Sequence, residues 1–132
     1  MRILVIDGQG GRIGKTIVEQ LKAQGGDFEI IAVGTNSIAT SAMIKAGADS
    51  GATGENPVVL ACRKADVITG PIGIVAANSM MGEITPAMAE AVGSSDARKV
   101  LVPVSKCFEV AGVREMPLSR YVEEAVGMIL GR

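Results

Sequence analysis

The chain has 132 residues, a formal net charge of −1, and 48% apolar residues. This length allows one sizeable core but not a cofactor domain with a separate substrate domain, and the near-neutral charge gives nucleic acid or an acidic membrane no electrostatic handle. No run approaches the roughly 20 apolar residues needed to cross a bilayer, and a chain without His offers neither a Cys/His zinc site nor a histidine base.

The elements alternate from the start. Ile3–Ile6 is an aliphatic strand leading into the glycine-rich turn Gly8–Gly14. A helix is predicted from about Arg12 to Gln24, with Ile13, Ile17, Val18 and Leu21 on one face, the spacing of a helix lying on a sheet. Glu29–Val33 is the second strand. Asn36 or Ser37 caps a helix through Ala46, and Ser50–Thr53 is a short third strand. Asn56-Pro57 reads as an N-cap with proline at the first helical position, opening a helix to about Lys64; a strand over Val58–Cys62 ranks second. Asp66–Thr69 is the fourth strand, ended by Gly70-Pro71-Ile72-Gly73, and Ile74–Met81 is assigned as helix. Thr85-Pro86 opens a further helix through Val92. Lys99–Val104 is the fifth strand, and Phe108–Val113 is a candidate sixth, edge strand. Ser119 is the expected cap of a last helix with Leu118, Val122, Ala125, Val126 and Ile129 as its buried stripe.

Repeated β–α units of this length predict a single Rossmann-like α/β domain over residues 1–132, a doubly wound sheet of about five parallel strands. Its core is built from aliphatic side chains, since only Phe28, Phe108 and Tyr121 are aromatic. Ligands of such sheets sit beyond the carboxyl ends of the strands, where strand order reverses. The segments Asp7–Gly14, Gly34–Ser37, Gly51–Glu55, Gly70–Gly73 and Ser105–Cys107 all fall on that edge. With Met1 followed at once by a strand and no basic flank or long apolar run, no signal peptide is expected and the protein reads as cytoplasmic. Cys62 and Cys107 form no Cys-x-x-Cys pattern and read as reduced, packed thiols.

A strand running through a glycine turn into a helix builds a phosphate cradle, because the N–H groups of the first helical turn attract an anion. The nucleoside-triphosphate P-loop spacing before Gly14-Lys15-Thr16 requires glycine where Gln9 stands. The strict Gly-x-Gly-x-x-Gly fingerprint fails at Ile13, but Gly8-x-x-Gly11-x-x-Gly14 restores a regular spacing. Ending in Gly-Arg-Ile-Gly-Lys, this stretch resembles the nucleotide loop of dihydrodipicolinate reductase. The resemblance implies that Gly8 permits the tight turn, Gly11 lies against a pyrophosphate and Gly14 allows close helix–strand packing, with Arg12 and Lys15 beside the phosphates. Valine at Gly11 and Gly14 is then expected to abolish binding and leave the fold intact. Asp7, a carboxylate beside an anion site, is expected to accept N–H bonds within the loop.

The candidate cofactor-binding residues are Gly8, Gln9, Gly10, Gly11, Arg12, Ile13 and Gly14, with Thr35, Asn36 and Ser37 at the end of the second strand, and Gly70 and Pro71 after the fourth. NAD binders place an acid at the end of the second strand. Val33–Ser37 holds none, which tilts the choice to NADP over NAD. End to end, through Ile-Asp-Gly-Gln-Gly-Gly, residues 32–40, 46–56, Gly-Pro-Ile-Gly-Ile-Val, Gly-Glu-Ile-Thr-Pro and Pro-Val-Ser-Lys-Cys, the chain resembles a family of small bacterial Rossmann-like proteins of unknown function. That resemblance implies a stand-alone domain and no particular activity.

The reading is therefore a nucleotide- or dinucleotide-binding module. The alternatives are a small NAD(P)-dependent oxidoreductase and a coenzyme A or mononucleotide binder. No complete catalytic constellation is visible: Tyr121 followed by Ala125 lacks the Tyr-x-x-x-Lys pairing of short-chain dehydrogenases. If there is chemistry, Lys106 and Cys107 are the candidates, with Glu83 and Thr85 weaker. Met80-Met81 suggests a homodimer interface.

Overall fold

The computed structural model describes residues 1–132. In chain order it contains β1 (Arg2–Asp7), α1 (Arg12–Gln24), β2 (Glu29–Gly34), α2 (Ser37–Lys45), β3 (Ser50–Thr53), α3 (Glu55–Cys62), β4 (Val67–Pro71), a 3₁₀ turn (Ile72–Val75), α4 (Pro86–Ser94), β5 (Arg98–Val102) and α5 (Leu118–Leu130). The five strands form one parallel sheet in the order β3-β2-β1-β4-β5. This is the doubly wound α/β arrangement, and its strand order reverses between β1 and β4.

The two-residue period of β1 divides the core. Ile3 and Val5 join the cluster formed with Ile17, Val18 and Leu21 of α1, Met43 of α2 and Val122, Val126 and Ile129 of α5. Leu4 and Ile6 join the opposite cluster, with Val58 of α3, Ile74, Ile84 and Met88 and Val92 of α4. Each fully buried aliphatic side chain contributes about 1.5–3 kcal/mol, so the layer from α1 and α5 is a main anchor of the sheet. Asn36 caps α2 by accepting the Ala39 N–H at 2.9 Å, and Thr85 caps α4 by accepting the Met88 N–H at 3.2 Å. Pro86 follows Thr85 at the first helical position, where its missing N–H would have had no partner.

Several boundaries differ from the sequence expectations. Helix α3 begins at Glu55, after Gly54 at φ 111°, so Pro57 is its third residue, still within the turn that has no intrahelical N–H bonds. Strand β4 runs through Gly70 and Pro71, and does not end before them. Ile74–Met81 is not a helix: after the 3₁₀ turn, Asn78, Met80 and Met81 take left-handed backbone at φ 67°, 55° and 57°, which no right-handed helix tolerates. Phe108–Val113 adds no edge strand. Strand β5 stops at Val102, ahead of Pro103, which has no N–H to donate. Residues 103–117 instead turn at Gly112 (φ 86°) and are tied to α5, where the Tyr121 hydroxyl accepts from the Met116 N–H and donates to the Arg114 carbonyl. Helix α5 starts at Leu118 behind Pro117, so Ser119 lies inside it and does not cap it.

Candidate functional site

The alternation of β1 that buries Ile3 and Val5 beneath α1 carries Asp7 to the same side, directly under the N-terminus of that helix. Asp7 is 4% exposed. Its Oδ1 accepts the Gly8 N–H and its Oδ2 the Gly14 N–H, both at 2.7 Å. A carboxylate from the strand thus caps α1 from below, where the helix dipole favours negative charge. Burial pushes this carboxyl from 3.8 up to about 6, against the pull of the Gly14, Gly8 and Ile13 N–H groups, and the nearby Glu83 charge adds to the rise.

The left-handed positions of the turn fall on Gln9 (φ 48°) and Gly11 (φ 72°), so Gly8 does not provide the turn dihedral. The role of Gly8 is close approach: a Cβ there would stand 2.6 Å from Thr35 Oγ1 and 2.8 Å from Met80 Sδ. The close approach at Gly11 is to α2, with Ala39 Cα 2.8 Å from the position of a Cβ. At Gly14 a Cβ would meet Met43 Sδ at 2.6 Å and Asp7 Cβ at 2.9 Å. The regular glycine spacing therefore serves packing at all three positions.

The Ile13 N–H faces Asp7, and four other loop N–H groups have internal acceptors. Gly8 and Gly14 donate to Asp7, Gln9 to Glu83, and Gly11 to the Gly8 carbonyl at 2.9 Å. The N–H groups of Gly10 and Arg12 have no acceptor in the protein. Gly10 and Arg12 are both exposed, and the Arg12 guanidinium has no ion-pair partner. Lys15 faces Glu19 at 3.9 Å. Ile13 is half-buried and packs on the core below.

The second loop is brought to the first by a residue from a third. Between the 3₁₀ turn and α4, residues 76–85 form a strap that delivers Glu83 to the end of β2. Its Oε1 accepts from the Thr35 hydroxyl at 2.6 Å, the Asn36 Nδ2 at 2.8 Å and the Gln9 N–H at 2.8 Å. Asn36 Nδ2 also reaches the Gln9 carbonyl at 2.9 Å. Partial desolvation would raise the Glu83 carboxyl, but these hydrogen bonds outweigh it and hold the group below the usual glutamate value, so it is ionised at neutral pH. Thr35 and Asn36 therefore do lie at the glycine loop. The absence of an acid from Val33–Ser37 does not describe the folded site, because Glu83 supplies one there, and the ground for choosing NADP over NAD is removed.

Other candidates stand further off. Ser37 is exposed at the start of α2 and makes no side-chain hydrogen bond within the protein. Gly70 and Pro71 are buried in the end of β4 beside β1; at φ 153°, Gly70 lets the Ile6 carbonyl approach to where a Cβ would be. Lys106 and Cys107 are exposed on the 103–117 segment, and no hydrogen bond or ion pair joins either side chain to the glycine loop. Cys62 is buried with its thiol pushed up to about 11 by desolvation, which the Lys99 charge only partly offsets; it is an inert packing group at neutral pH. A cavity of about 690 Å³ opens between α3 and α4 near Asp66 and Asp96, and another of about 570 Å³ lies between the 103–117 segment and α5. Neither is lined by a residue of the glycine loop. No helix is long and apolar enough to cross a membrane. The role of Glu83 in joining the loops had no local signal, since its partners are 48 and 74 positions away.

The chain belongs to the family described as Domain of unknown function (DUF3842), whose model matches residues 2–131. Comparison with curated proteins finds no match. Among solved structures, the dodecameric FMN-dependent Ubix-like decarboxylase from Escherichia coli O157:H7 is similar over 98% of this chain and 76% of that one, at 16% identity and a TM-score of 0.49. FMN and the dodecamer are properties of that protein.

Proposed function

We propose that the chain is a nucleotide-binding module in which the Gly8–Gly14 loop holds a phosphate. The observation that supports this reading is the pair of free, exposed N–H groups at Gly10 and Arg12, beside an unpaired guanidinium at the first turn of α1. Oriented amides, the helix dipole and an unpaired cation are the elements of an anion site. Gln9, Gly11, Ile13 and Gly14 shape the loop, Thr35, Asn36 and Ser37 border it at the start of α2, and Gly70 and Pro71 close the sheet edge beside it. A nicotinamide dinucleotide, NAD or NADP, is the first ligand class.

A mononucleotide or coenzyme A is the second. The oxidoreductase reading gains no proton donor from Tyr121, whose hydroxyl is engaged by the backbone of residues 114–116. The reading includes a cytoplasmic homodimer, for which Met81 on the strap, 96% exposed, is the support.

The test is native mass spectrometry of the purified protein, then a thermal-shift screen with NADH, NADPH, ATP, AMP, FMN and coenzyme A on the wild type and on Arg12→Glu. A shift with one or more of these ligands is expected, with affinity at least about tenfold weaker in the variant, as the loss of a charge-assisted contact implies. No shift with any of them and no co-purified mass would overturn the phosphate reading.

A further inference from the structure

The Glu83 carboxylate is held by one oxygen only. Three donors from two loops converge on Oε1, and Oε2 accepts no hydrogen bond within the protein. A tie between the loops needs a single oxygen, so the second remains an acceptor fixed in place at the ends of β1 and β2. The strap that brings Glu83 there contains Asn78, Met80 and Met81, all in left-handed backbone that non-glycine residues rarely adopt. Such residues cluster where a ligand group must be positioned.

We propose that Glu83 is the ribose-recognising residue of this site, its Oε2 accepting the hydroxyls of an unphosphorylated 2′,3′-diol, so that the ligand is a nucleotide without a 2′-phosphate. The inference rests on the phosphate reading of the Gly8–Gly14 loop and names which nucleotides that loop takes. In a sheet of this order, a nucleotide with its phosphate at the β1–α1 loop carries its ribose to the end of β2. A carboxylate is acceptor-only and pairs with hydroxyl donors, whereas a 2′-phosphate brought against it meets like charge with no hydrogen to share. Ordinarily the acid comes from β2 itself; here it arrives from the β4–α4 connection, with Thr35 and Asn36 as its supports.

The experiment is isothermal titration of the wild type and Glu83→Gln with inorganic pyrophosphate, 5′-AMP, 2′-deoxy-5′-AMP and adenosine 2′,5′-bisphosphate. Glutamine keeps an oxygen for the three donors, and pyrophosphate binding reports an intact loop in the variant. The wild type is expected to bind 5′-AMP at least about tenfold more tightly than either the deoxy or the 2′-phosphorylated compound, and the preference over the bisphosphate is expected to collapse in Glu83→Gln. If the wild type binds pyrophosphate or 5′-AMP without that preference, or the variant keeps it, the role of Glu83 is overturned and the phosphate loop stands. If the wild type binds neither pyrophosphate nor 5′-AMP, both readings fall.

Discussion

Replacing Asp7 with asparagine should remove a pH dependence that is written into the position of this carboxyl. Asp7 is 4% exposed, and burial lifts it from 3.8 to about 6. Below pH 3.8 the group carries its proton in both folded and unfolded chains. Between that value and about 6 the unfolded chain releases the proton while the folded one keeps it. The unfolded state then binds fewer protons, so stability falls as pH rises, and the loss is complete above about pH 6. At about 1.36 kcal/mol per pH unit, the interval amounts to about 3 kcal/mol. Asparagine resembles the protonated aspartate of the folded chain near pH 4, with one strong acceptor for the two N–H groups that Asp7 holds at 2.7 Å. Relative to wild type, Asp7→Asn should therefore be close to equal near pH 4 and more stable by up to about 3 kcal/mol at pH 7. Urea denaturation of both proteins, followed by circular dichroism from pH 4 to 7.5, reads this difference directly. Glu83 contributes with the opposite sign, its depressed carboxyl adding stability above its unfolded value, but it is present in both proteins. A stability difference that stays constant across the range would mean that Asp7 titrates as an exposed aspartate does and that burial does not lift it.

Three further variants have defined outcomes. Gly14→Val drives a side chain into Met43 and Asp7 and should cost about 1–3 kcal/mol or more in denaturant midpoint, by overpacking, whereas Gly10→Ala meets nothing within 4 Å and should stay within about 0.5 kcal/mol of wild type. The expectation that valine at Gly11 and Gly14 leaves the fold intact is thus corrected by the contacts of both with α2. Thr69 Oγ1 is buried without a hydrogen-bond partner, so Thr69→Val, nearly isosteric, should raise stability by about 1 kcal/mol in thermal or urea unfolding; a loss would mean that the hydroxyl has a partner in solution.

Much of this protein is legible in local chemistry. The aliphatic run of β1, the apolar stripes of α1 and α5, and the caps at Asn36 and at Thr85-Pro86 are set by side-chain period and backbone hydrogen bonding within a few residues. Glycines at positions 8, 11 and 14 announced a tight strand-to-helix passage. That each of them is matched to a particular neighbour, Thr35 and Met80, Ala39, or Met43 and Asp7, appears only once α2 and the strap are packed against the loop.

The strap itself escaped local reasoning. Ile74–Met81 has the apolar content of a helix, but the hydrogen bonds of Asn78 N–H to the Ile84 carbonyl and Ser79 Oγ to the Gly73 carbonyl fold it into turns across the end of β1. Phe108–Val113 has the composition of a strand, yet Tyr121 ties the residues that follow it to α5. Side-chain periodicity along the chain sets an alternating α/β sheet with a glycine-rich turn after its first strand. That an acid faces the end of β2 follows from long-range packing, because Glu83 meets Thr35 and Gln9 across 48 and 74 residues of chain, a separation that no local pattern encodes and that the packing of β4 beside β1 closes.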